Sequence, residues 1–293
     1  MKGTSIGWIG TGVMGTSMCM NLMNAGSRAF VHNRTRARAE PLIEKGAVWC
    51  ESAAEVAQHC GMIFTIVGYP SDVEQVILGE KGVMQGAKPG SVIIDMTTSE
   101  PALAKRIYEC AKQKRLHAID APVSGGDIGA RQGTLAIMAG GDREVFDRVL
   151  PYFKIMGENI ALMGGPGAGQ HTKMSNQILI ASTMIGVVES LLYAVKAGLD
   201  PDEVIDVIGK GAASSWSINN LGRRIVKGDF EPGFFIKHFI KDMGIALDEA
   251  KRMNLTLPGL ALAHQFYVSA KALGYENLGT QGIYKVFERM NGL

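Results

Sequence analysis

Short apolar runs and longer amphipathic stretches alternate through the first half of the chain. Runs such as Thr4 to Ile9, Met62 to Val67 and Val92 to Asp95 lack polar alternation, which is typical of strands in a parallel sheet covered on both faces. The second half is helical in pattern throughout. The chain is therefore predicted to fold as an α/β domain over residues 1–165 and an all-helical domain over residues 166–293.

One long helical pattern joins the two parts. It runs from Gly167 to Gly198 without an internal proline, with glycines at both ends. At ~1.5 Å per residue it would span roughly 40 Å, about a domain diameter. Asn176 and Gln177 follow Lys173 by three and four residues, which places all three on one face near the N-terminal end. We expect this helix to form a wall between the domains, with chemistry at that end.

A glycine-rich turn follows the first predicted strand and opens a helix. Residues 10–15 read GTGVMG, the GxGxxG pattern in its strand–turn–helix context. Gly10 would allow the tight turn, Gly12 would let the backbone approach a pyrophosphate, and Gly15 would let the helix pack close to the strand. The N–H groups at the helix start favour the anion. A purely structural turn is the alternative, but the position predicts a dinucleotide held by Gly10, Gly12, Val13, Met14 and Gly15.

The residues after the second predicted strand indicate which dinucleotide binds. An NAD site usually has Asp or Glu here, bonded to the ribose hydroxyls, and this chain has Asn33, Arg34 and Thr35 instead. Arg34 could pair with a 2′-phosphate, with hydrogen bonds from its two neighbours. A solvated basic turn is the alternative. We expect NADP(H), with NAD(H) the less favoured coenzyme.

Two further loops should border the coenzyme, because ligands of open α/β sheets bind at the carboxyl ends of the strands. Thr97 follows the strand that ends at Asp95 and is placed for the nicotinamide ribose, or alternatively for capping the helix that begins near Pro101. The loop after the preceding strand contributes Gly68, Tyr69 and Pro70.

A Ser-Gly-Gly turn follows another strand, at residues 124–126. Its backbone N–H groups and hydroxyl suit a carboxylate. A plain turn explains Ser124, Gly125 and Gly126 equally well. The residue types alone therefore leave both interpretations open, a carboxylate-binding loop and a structural turn.

Composition narrows the function class. Hydrophobic residues make up 46% and charged residues 20% of 293, and the net charge of +2 argues against a nucleic-acid partner. Four cysteines without metal-ligand spacing predict reduced thiols, no metal site and a cytoplasmic protein. The most apolar run, Ile178 to Val188, is too short for a bilayer and is followed by Glu189, so we expect no membrane association.

Several motifs occur in an order that resembles the β-hydroxyacid dehydrogenases, the 3-hydroxyisobutyrate dehydrogenase family. They are WIGTGVMGTSMCMNL, DMTTSEP, DAPVSGG, GTLAIMAGGD, GAGQHTKMSNQ and FIKDMGIALDEA, and they cover essentially the whole chain. The pattern is most similar to the tartronate semialdehyde and glyoxylate/succinic semialdehyde reductases. The resemblance implies a Rossmann-like N-terminal domain, an all-helical C-terminal domain and a homodimer or homotetramer.

The resemblance also implies roles for individual residues. Lys173 corresponds to the catalytic lysine, which would donate a proton to the forming alkoxide and take it back in the reverse direction. Ser124, Gly125 and Gly126 correspond to the substrate-carboxylate loop, Asn176 to the substrate amide, and Lys241 to a lysine close to the coenzyme. Many members have Asn where this chain has Gln177, so the substrate role of that residue is in doubt.

Trp216 lies in the second domain, and tryptophan side chains are more often in the core than in contact with a ligand. Its serine neighbours and the family pattern favour the substrate pocket instead. His238 could act as an acid or base, although a structural histidine is the simpler interpretation.

The motifs together predict an NADP-dependent reductase of a small carboxylated aldehyde. Imine reduction on the same scaffold is one alternative, which Lys173 disfavours, and a cofactor-binding protein without chemistry is another. The physiological substrate is left open.

Overall fold

The computed structural model describes residues 3–293, which divide into two compact units, with the boundary between Lys173 and Met174. The first unit is α/β and the second is helical, as the sequence predicts. The boundary between the two units lies within one continuous helix, Ala168–Lys196.

A nine-stranded sheet forms the centre of the first unit. Its strands are β1 (Ser5–Ile9), β2 (Arg28–His32), β3 (Val48–Trp49), β4 (Met62–Thr65), β5 (Val92–Asp95), β6 (His117–Asp120), β7 (Val123–Ser124), β8 (Leu135–Gly140) and β9 (Gly157–Gly164).

The first six strands are parallel, in the order β3-β2-β1-β4-β5-β6. Strand β8 pairs antiparallel with β6 and β7 and parallel with β9. Because the parallel strands share one direction, their carboxyl ends meet at a single edge of the sheet, where Asp95 and Asp120 are register partners. This is the edge at which ligands of such sheets bind.

Helices cover both faces of the sheet, and each face has its own apolar core. One core includes Met18, Leu22, Val149 and Phe153, and the other includes Val56, Ile77 and Ile107. Burial on both faces explains why the strands have the continuous apolar pattern. The helices are α1 (Val13–Asn24), α2 (Glu40–Ile43), α3 (Ala53–His59), α4 (Pro70–Leu78), α5 (Val83–Gly86), α6 (Pro101–Gln113), α7 (Gly126–Gln132) and α8 (Arg143–Met156).

Helix α9 (Ala168–Lys196) continues into the second unit, whose core includes Met184, Phe239 and Tyr267. The Tyr267 ring contacts the Phe239 ring edge-on, with centroids 5.0 Å apart. A π-helical segment, Ser217–Gly222, precedes α11. The other helices are α10 (Pro201–Ile208), α11 (Arg223–Val226), α12 (Ile236–Arg252), α13 (Pro258–Ala272) and α14 (Tyr284–Met290).

Helix α9 is longer than the apolar run within it. Its 29 residues contain an 18-residue window of mean hydropathy 2.0, long and apolar enough to cross a membrane by length and composition, which the run Ile178 to Val188 alone does not indicate. It is the one such helix between residues 3 and 293, and the core helix of a soluble protein passes the same test. The result therefore carries little weight as a sign of membrane association.

The elements differ from the sequence predictions mainly at their ends. Strand β4 stops at Thr65, two residues before the apolar run ends. Strand β9 extends from Gly157 to Gly164, beyond its apolar centre, because its pairing with β8 continues along that whole length. The Ser-Gly-Gly segment is more than a turn: Gly125 has φ +135°, and helix α7 begins at the next residue.

Candidate active site

The three glycines of residues 10–15 serve different needs. Gly10 has φ +97°, and a Cβ there would lie 2.0 Å from the carbonyl oxygen of Ile66; a Cβ on Gly15 would lie 2.1 Å from the carbonyl oxygen of Gly10. Both are therefore required by packing within the protein. A Cβ on Gly12 would meet no atom within 4 Å, and its backbone is extended. The fold itself does not require glycine at position 12, so the open space there fits a bound ligand.

Helix α1 begins at this open position. No side chain caps its first turn, and Val13 is 60% exposed. The helix start can therefore offer backbone N–H groups and the positive end of the helix dipole to an anion. Trp8 stabilises the turn. Its buried ring donates a hydrogen bond from Nε1 to the Gly10 carbonyl oxygen at 3.0 Å.

Asn33 joins the ends of β1 and β2. Its Oδ1 accepts the Thr11 N–H at 3.2 Å, and its Nδ2 donates to the Thr35 carbonyl oxygen at 2.9 Å. The side chain of Arg34 is 87% exposed and lies 3.4 Å from Asp72 on α4. An exposed ion pair of this length is weak, so the guanidinium can exchange its partner for a ligand at small cost.

Thr97 is fixed by the backbone around it. Its hydroxyl accepts the Val67 N–H at 3.0 Å, and its own N–H donates to Oδ1 of Asp95 at 3.1 Å. The same Asp95 oxygen accepts the Thr65 hydroxyl at 2.9 Å. Thr97 does not cap α6, because Glu100 occupies the N-cap position. Its structural role is to hold the loops after β4 and β5 together.

Asp120 caps the helix that carries Lys173. Its two carboxylate oxygens accept the N–H groups of Gly167 at 2.7 Å and Gln170 at 2.9 Å. Gly167 has no side chain with which to cap the helix, so a carboxylate from the end of β6 performs this task. Burial raises the pKa of the Asp120 carboxyl to about 6, Asp95 adds to the rise, and the two N–H groups oppose it.

Gln170 fixes the same helix to the loop after β5. It is fully buried, its Oε1 accepts the Ser99 N–H at 2.9 Å, and its Nε2 donates to the Thr97 carbonyl oxygen at 2.7 Å. Lys173 lies one turn further along α9 and is itself buried, with 6% exposure. A lysine is rarely buried to this extent without a specific reason. Asp120 and Gln170 thus hold the first turn of α9 against the carboxyl ends of β5 and β6.

The segment Ser124–Gly126 joins the last residue of β7 to the first residue of α7 and remains accessible. Ser124 and Gly126 are half-buried and Gly125 is exposed. Gly126 also has a positive φ, of +62°. Two successive residues in conformations that favour glycine give this segment a backbone that other residues would adopt only with strain.

In the helical unit, four side chains form a continuous series of polar contacts. Asn176 donates to Gln177 at 2.8 Å, Gln177 donates to Asp242 at 2.6 Å, and the other Asp242 oxygen lies 2.9 Å from the Lys241 ammonium. Gln177 and Asp242 are each 1% exposed. Gln177 therefore has a structural partner, which explains why an amide longer than Asn occupies its position.

His238 and Trp216 are the remaining candidates in this unit. Burial, together with Lys241, lowers the pKa of His238, which favours the neutral form of its ring. Trp216 is 63% exposed, so the core position that is usual for tryptophan does not apply here. It precedes the π-helical segment, and its carbonyl oxygen accepts a hydrogen bond from Asn220.

Sequence reasoning missed four residues that position these groups: Asp95, Asp120, Gln170 and Asp242. A signal was present for the first two, because an aspartate that ends an apolar parallel strand lies at the ligand-binding edge of the sheet. Gln170 and Asp242 carry no comparable signal, since their partners are distant in sequence.

Two family profiles together match almost the entire chain. Residues 5–165 match the NAD binding domain of 6-phosphogluconate dehydrogenase, and residues 167–287 match the NAD-binding domain of NADP-dependent 3-hydroxyisobutyrate dehydrogenase. The chain belongs to the 3-hydroxyisobutyrate dehydrogenase family. The family assignment made from the sequence motifs is thereby confirmed.

Individual proteins of this family are similar over the full length. The chain is 54% identical to the uncharacterized oxidoreductase YkwC of Bacillus subtilis, over 98% of this chain and 99% of that one. It is 40% identical to 2-hydroxy-3-oxopropionate reductase of Escherichia coli, over 97% of each chain.

A solved structure shares the whole fold. The crystal structure of 3-hydroxyisobutyrate dehydrogenase from Salmonella typhimurium has a TM-score of 0.87 and 29% identity, covering 97% of this chain and 99% of that one. The protein is accordingly an NAD(P)-dependent hydroxyacid dehydrogenase of the 3-hydroxyisobutyrate dehydrogenase family.

Proposed function

We propose that the protein is an NADP-dependent reductase that interconverts a small carboxylated aldehyde and its hydroxyacid, with Lys173 as the proton donor and acceptor. One observation carries the proposal: Lys173 is buried one turn after a helix start that Asp120 and Gln170 bind to the ligand edge of the sheet. A lysine held in this way is positioned rather than free to move in solvent.

The residues of the first unit fit the coenzyme. The open space at Gly12 and the accessible start of α1 suit its pyrophosphate. The segment Gly68–Pro70 and Thr97, at the ends of neighbouring strands, would border the nicotinamide half. When bound, the coenzyme supplies the hydride that is added to the carbonyl carbon.

The protein must supply the proton and the substrate contacts. As the carbonyl carbon gains hydride, its oxygen gains negative charge, and the Lys173 ammonium gives that oxygen a proton and becomes an amine. In the oxidation direction the amine takes the hydroxyl proton back. Ser124, Gly125 and Gly126 would bind the substrate carboxylate through backbone N–H groups and the serine hydroxyl. Asn176 and Trp216 would contact the rest of the substrate, and Lys241 would lie by the coenzyme.

The residues after β2 support the proposed preference for NADP(H). No acidic side chain stands there to bond the ribose hydroxyls, and Arg34 is exposed with only a weak partner. A guanidinium binds a phosphate by two parallel hydrogen bonds, which suits the 2′-phosphate that distinguishes NADP(H).

The substrate class follows from the relatives. The similar E. coli protein is named 2-hydroxy-3-oxopropionate reductase, so tartronate semialdehyde (2-hydroxy-3-oxopropionate) is the first compound to test. Glyoxylate, succinic semialdehyde and methylmalonate semialdehyde complete the panel, because each combines a carboxylate with an aldehyde.

The experiment measures oxidation of NADPH and of NADH with each aldehyde. Turnover with at least one aldehyde and a higher kcat/KM for NADPH would support the proposal. Equal or better efficiency with NADH would contradict the coenzyme assignment. If no aldehyde of the panel supports NADPH oxidation although NADPH binds tightly, the proposed substrate class is contradicted.

We propose further that the chain forms a homodimer or homotetramer in the cytoplasm, without membrane or nucleic-acid partners. On α9, Leu179 is 70% exposed and Tyr193 is 76% exposed, and water-facing apolar side chains on one helix suit a second copy of the chain. Light scattering of the wild type and of Leu179→Asp tests this. A monomeric wild type would contradict it.

A further inference from the structure

A cluster of three metal-binding side chain types lies in the first unit, apart from the residues of the candidate active site. Cys50, Glu55 and His59 offer a thiol sulfur, a carboxylate oxygen and a ring nitrogen, and these atoms all lie within 4.8 Å of one another. Neither the family nor the proposed reaction assigns a role to them.

The local fold explains why they meet. Cys50 directly follows edge strand β3, and helix α3 begins three residues later. Glu55 and His59 are four residues apart on α3, so their side chains share one face. The Cys50 N–H also bonds the Val31 carbonyl oxygen of the neighbouring strand at 2.9 Å, which fixes the position of the thiol.

Contacts around the cluster orient the side chains of Glu55 and His59. The His59 ring stacks on Phe30 with centroids 4.7 Å apart, and Oε2 of Glu55 accepts the Glu51 N–H at 2.7 Å. Oriented ligands of this kind are a feature of protein metal sites. Cys50 is buried while His59 is exposed, so an ion can enter from solvent.

The donor set selects the kind of ion. Mg²⁺ and Ca²⁺ prefer oxygen ligands throughout, whereas one sulfur, one nitrogen and one oxygen suit Zn²⁺. Zinc–ligand bonds of about 2.0–2.3 Å place the ligand atoms of a tetrahedral site roughly 3.3–3.7 Å apart. Separations at the upper limit of 4.8 Å would have to shorten by about 1 Å to reach this geometry.

Three protein ligands leave one position of a tetrahedral zinc site open. A water molecule from the exposed side of the cluster, where His59 lies, can complete four-coordination.

We propose that Cys50, Glu55 and His59 form a Zn²⁺ site that ties the end of strand β3 to helix α3. The site is structural, because none of the three residues belongs to the candidate active site. Its existence does not depend on the proposed reaction.

The test measures Zn²⁺ binding to the reduced, metal-free full chain by competition with a chromophoric chelator, with native mass spectrometry for stoichiometry. One Zn²⁺ per chain is expected, with the dissociation constant raised at least ~10-fold in His59→Ala and ~100-fold in Cys50→Ala. Cys110→Ser, which changes a partly buried cysteine on α6, is the matched control and should bind as the wild type does. Co²⁺ should give a near-ultraviolet sulfur-to-metal absorption band that Cys50→Ala abolishes.

The exposed His59 keeps the proposal testable even if Cys50→Ala folds poorly. Zn²⁺ should raise the thermal midpoint of the wild type by a few degrees and leave that of His59→Ala unchanged, because only an ion that binds the folded state stabilises it. Failure of the wild type to bind Zn²⁺ would overturn the proposal. Binding that is the same in wild type, Cys50→Ala and His59→Ala would also overturn it, since the ion would then be held elsewhere.

Discussion

The two units hold their candidate functional groups by different means. In the α/β unit, Asp95, Asp120 and Gln170 bond mainly to backbone N–H and carbonyl groups. In the helical unit, Gln177 and Asp242 bond to other side chains, and the series ends on a charged lysine.

The difference follows from the secondary structure. Strand ends and helix starts expose backbone groups that need partners, so a polar side chain placed there binds the backbone directly. Within helices most backbone groups are already paired, and Gln177 and Asp242, which lie on helices, bond to other side chains. Loss of one of these side chains should therefore loosen a loop in the first unit, but break a contact between buried side chains in the second.

The largest stability effect is expected from Asp242→Ala. Removal of the carboxylate takes one buried partner from the Lys241 ammonium and the acceptor from the Gln177 Nε2 group, which costs about 3–5 kcal/mol. Urea unfolding followed by circular dichroism measures the loss. Asp248→Ala, on the same helix, is the control. A loss below about 1 kcal/mol is typical of a solvent-exposed ion pair. It would contradict the proposed difference between the two units.

A pH-dependent effect is expected at Asp120. Its pKa is raised from 3.8 to about 6 in the folded protein, so between these values the folded state binds the proton that the unfolded state has released. The contribution of Asp120 to the free energy of unfolding is therefore largest below pH 4, falls as the pH rises to 6, and is constant above. Its total change is about 2–3 kcal/mol.

Asp120→Asn removes this titration. The difference in unfolding free energy between wild type and variant should shift in favour of the variant between pH 4 and pH 6. Urea titrations at four pH values across this range test the sign. A difference that is independent of pH would contradict the account of a buried carboxylate cap.

Gln177→Asn gives a smaller effect. The shorter amide cannot reach Asp242 from the same backbone position, so one hydrogen bond to a buried carboxylate is lost, at about 1–2 kcal/mol. Gln265→Asn, at an exposed position on α13, should be near neutral. If Gln177→Asn were equally neutral, the series of polar contacts could not depend on the length of this amide.

Arg34→Ala should change coenzyme discrimination and leave stability unaffected, because the side chain is exposed. The ratio of kcat/KM for NADPH to that for NADH is expected to fall about 10-fold, the effect of about 1.4 kcal/mol. Arg143→Ala, an exposed arginine on α8, serves as the charge control. An unchanged ratio would remove Arg34 from the coenzyme site.

Much of the fold could be predicted from local pattern. The strand containing Val92 to Asp95 is confirmed to the residue, because both its faces are buried and the apolar run ends at a polar loop. Helix α9 is also confirmed within two residues of either end. The ends of β4 and β9 could not be predicted, since pairing with neighbouring strands rather than hydrophobicity sets them.

The candidate site divides in the same way. The glycine turn was predictable because the GxGxxG motif marks positions, such as Gly10 and Gly15, where a side chain would clash with nearby backbone atoms. The place of Asp120 at the edge of the sheet was also predictable, but its role as a helix cap was not, because its partners lie 47 and 50 residues away. The function of Gln177 was likewise hidden, since Asp242 is 65 residues distant.

The most direct test of the central claim is rapid mixing of saturating NADPH and tartronate semialdehyde with wild type, Lys173→Ala and Lys196→Ala. Lys196 lies at the other end of the same helix and is exposed, so its variant controls for helix propensity and charge. We predict that NADPH binds all three within a few-fold, and that only Lys173→Ala loses the oxidation rate, by at least ~100-fold. Retention of the rate within tenfold in Lys173→Ala would contradict the assignment of Lys173 as the proton donor.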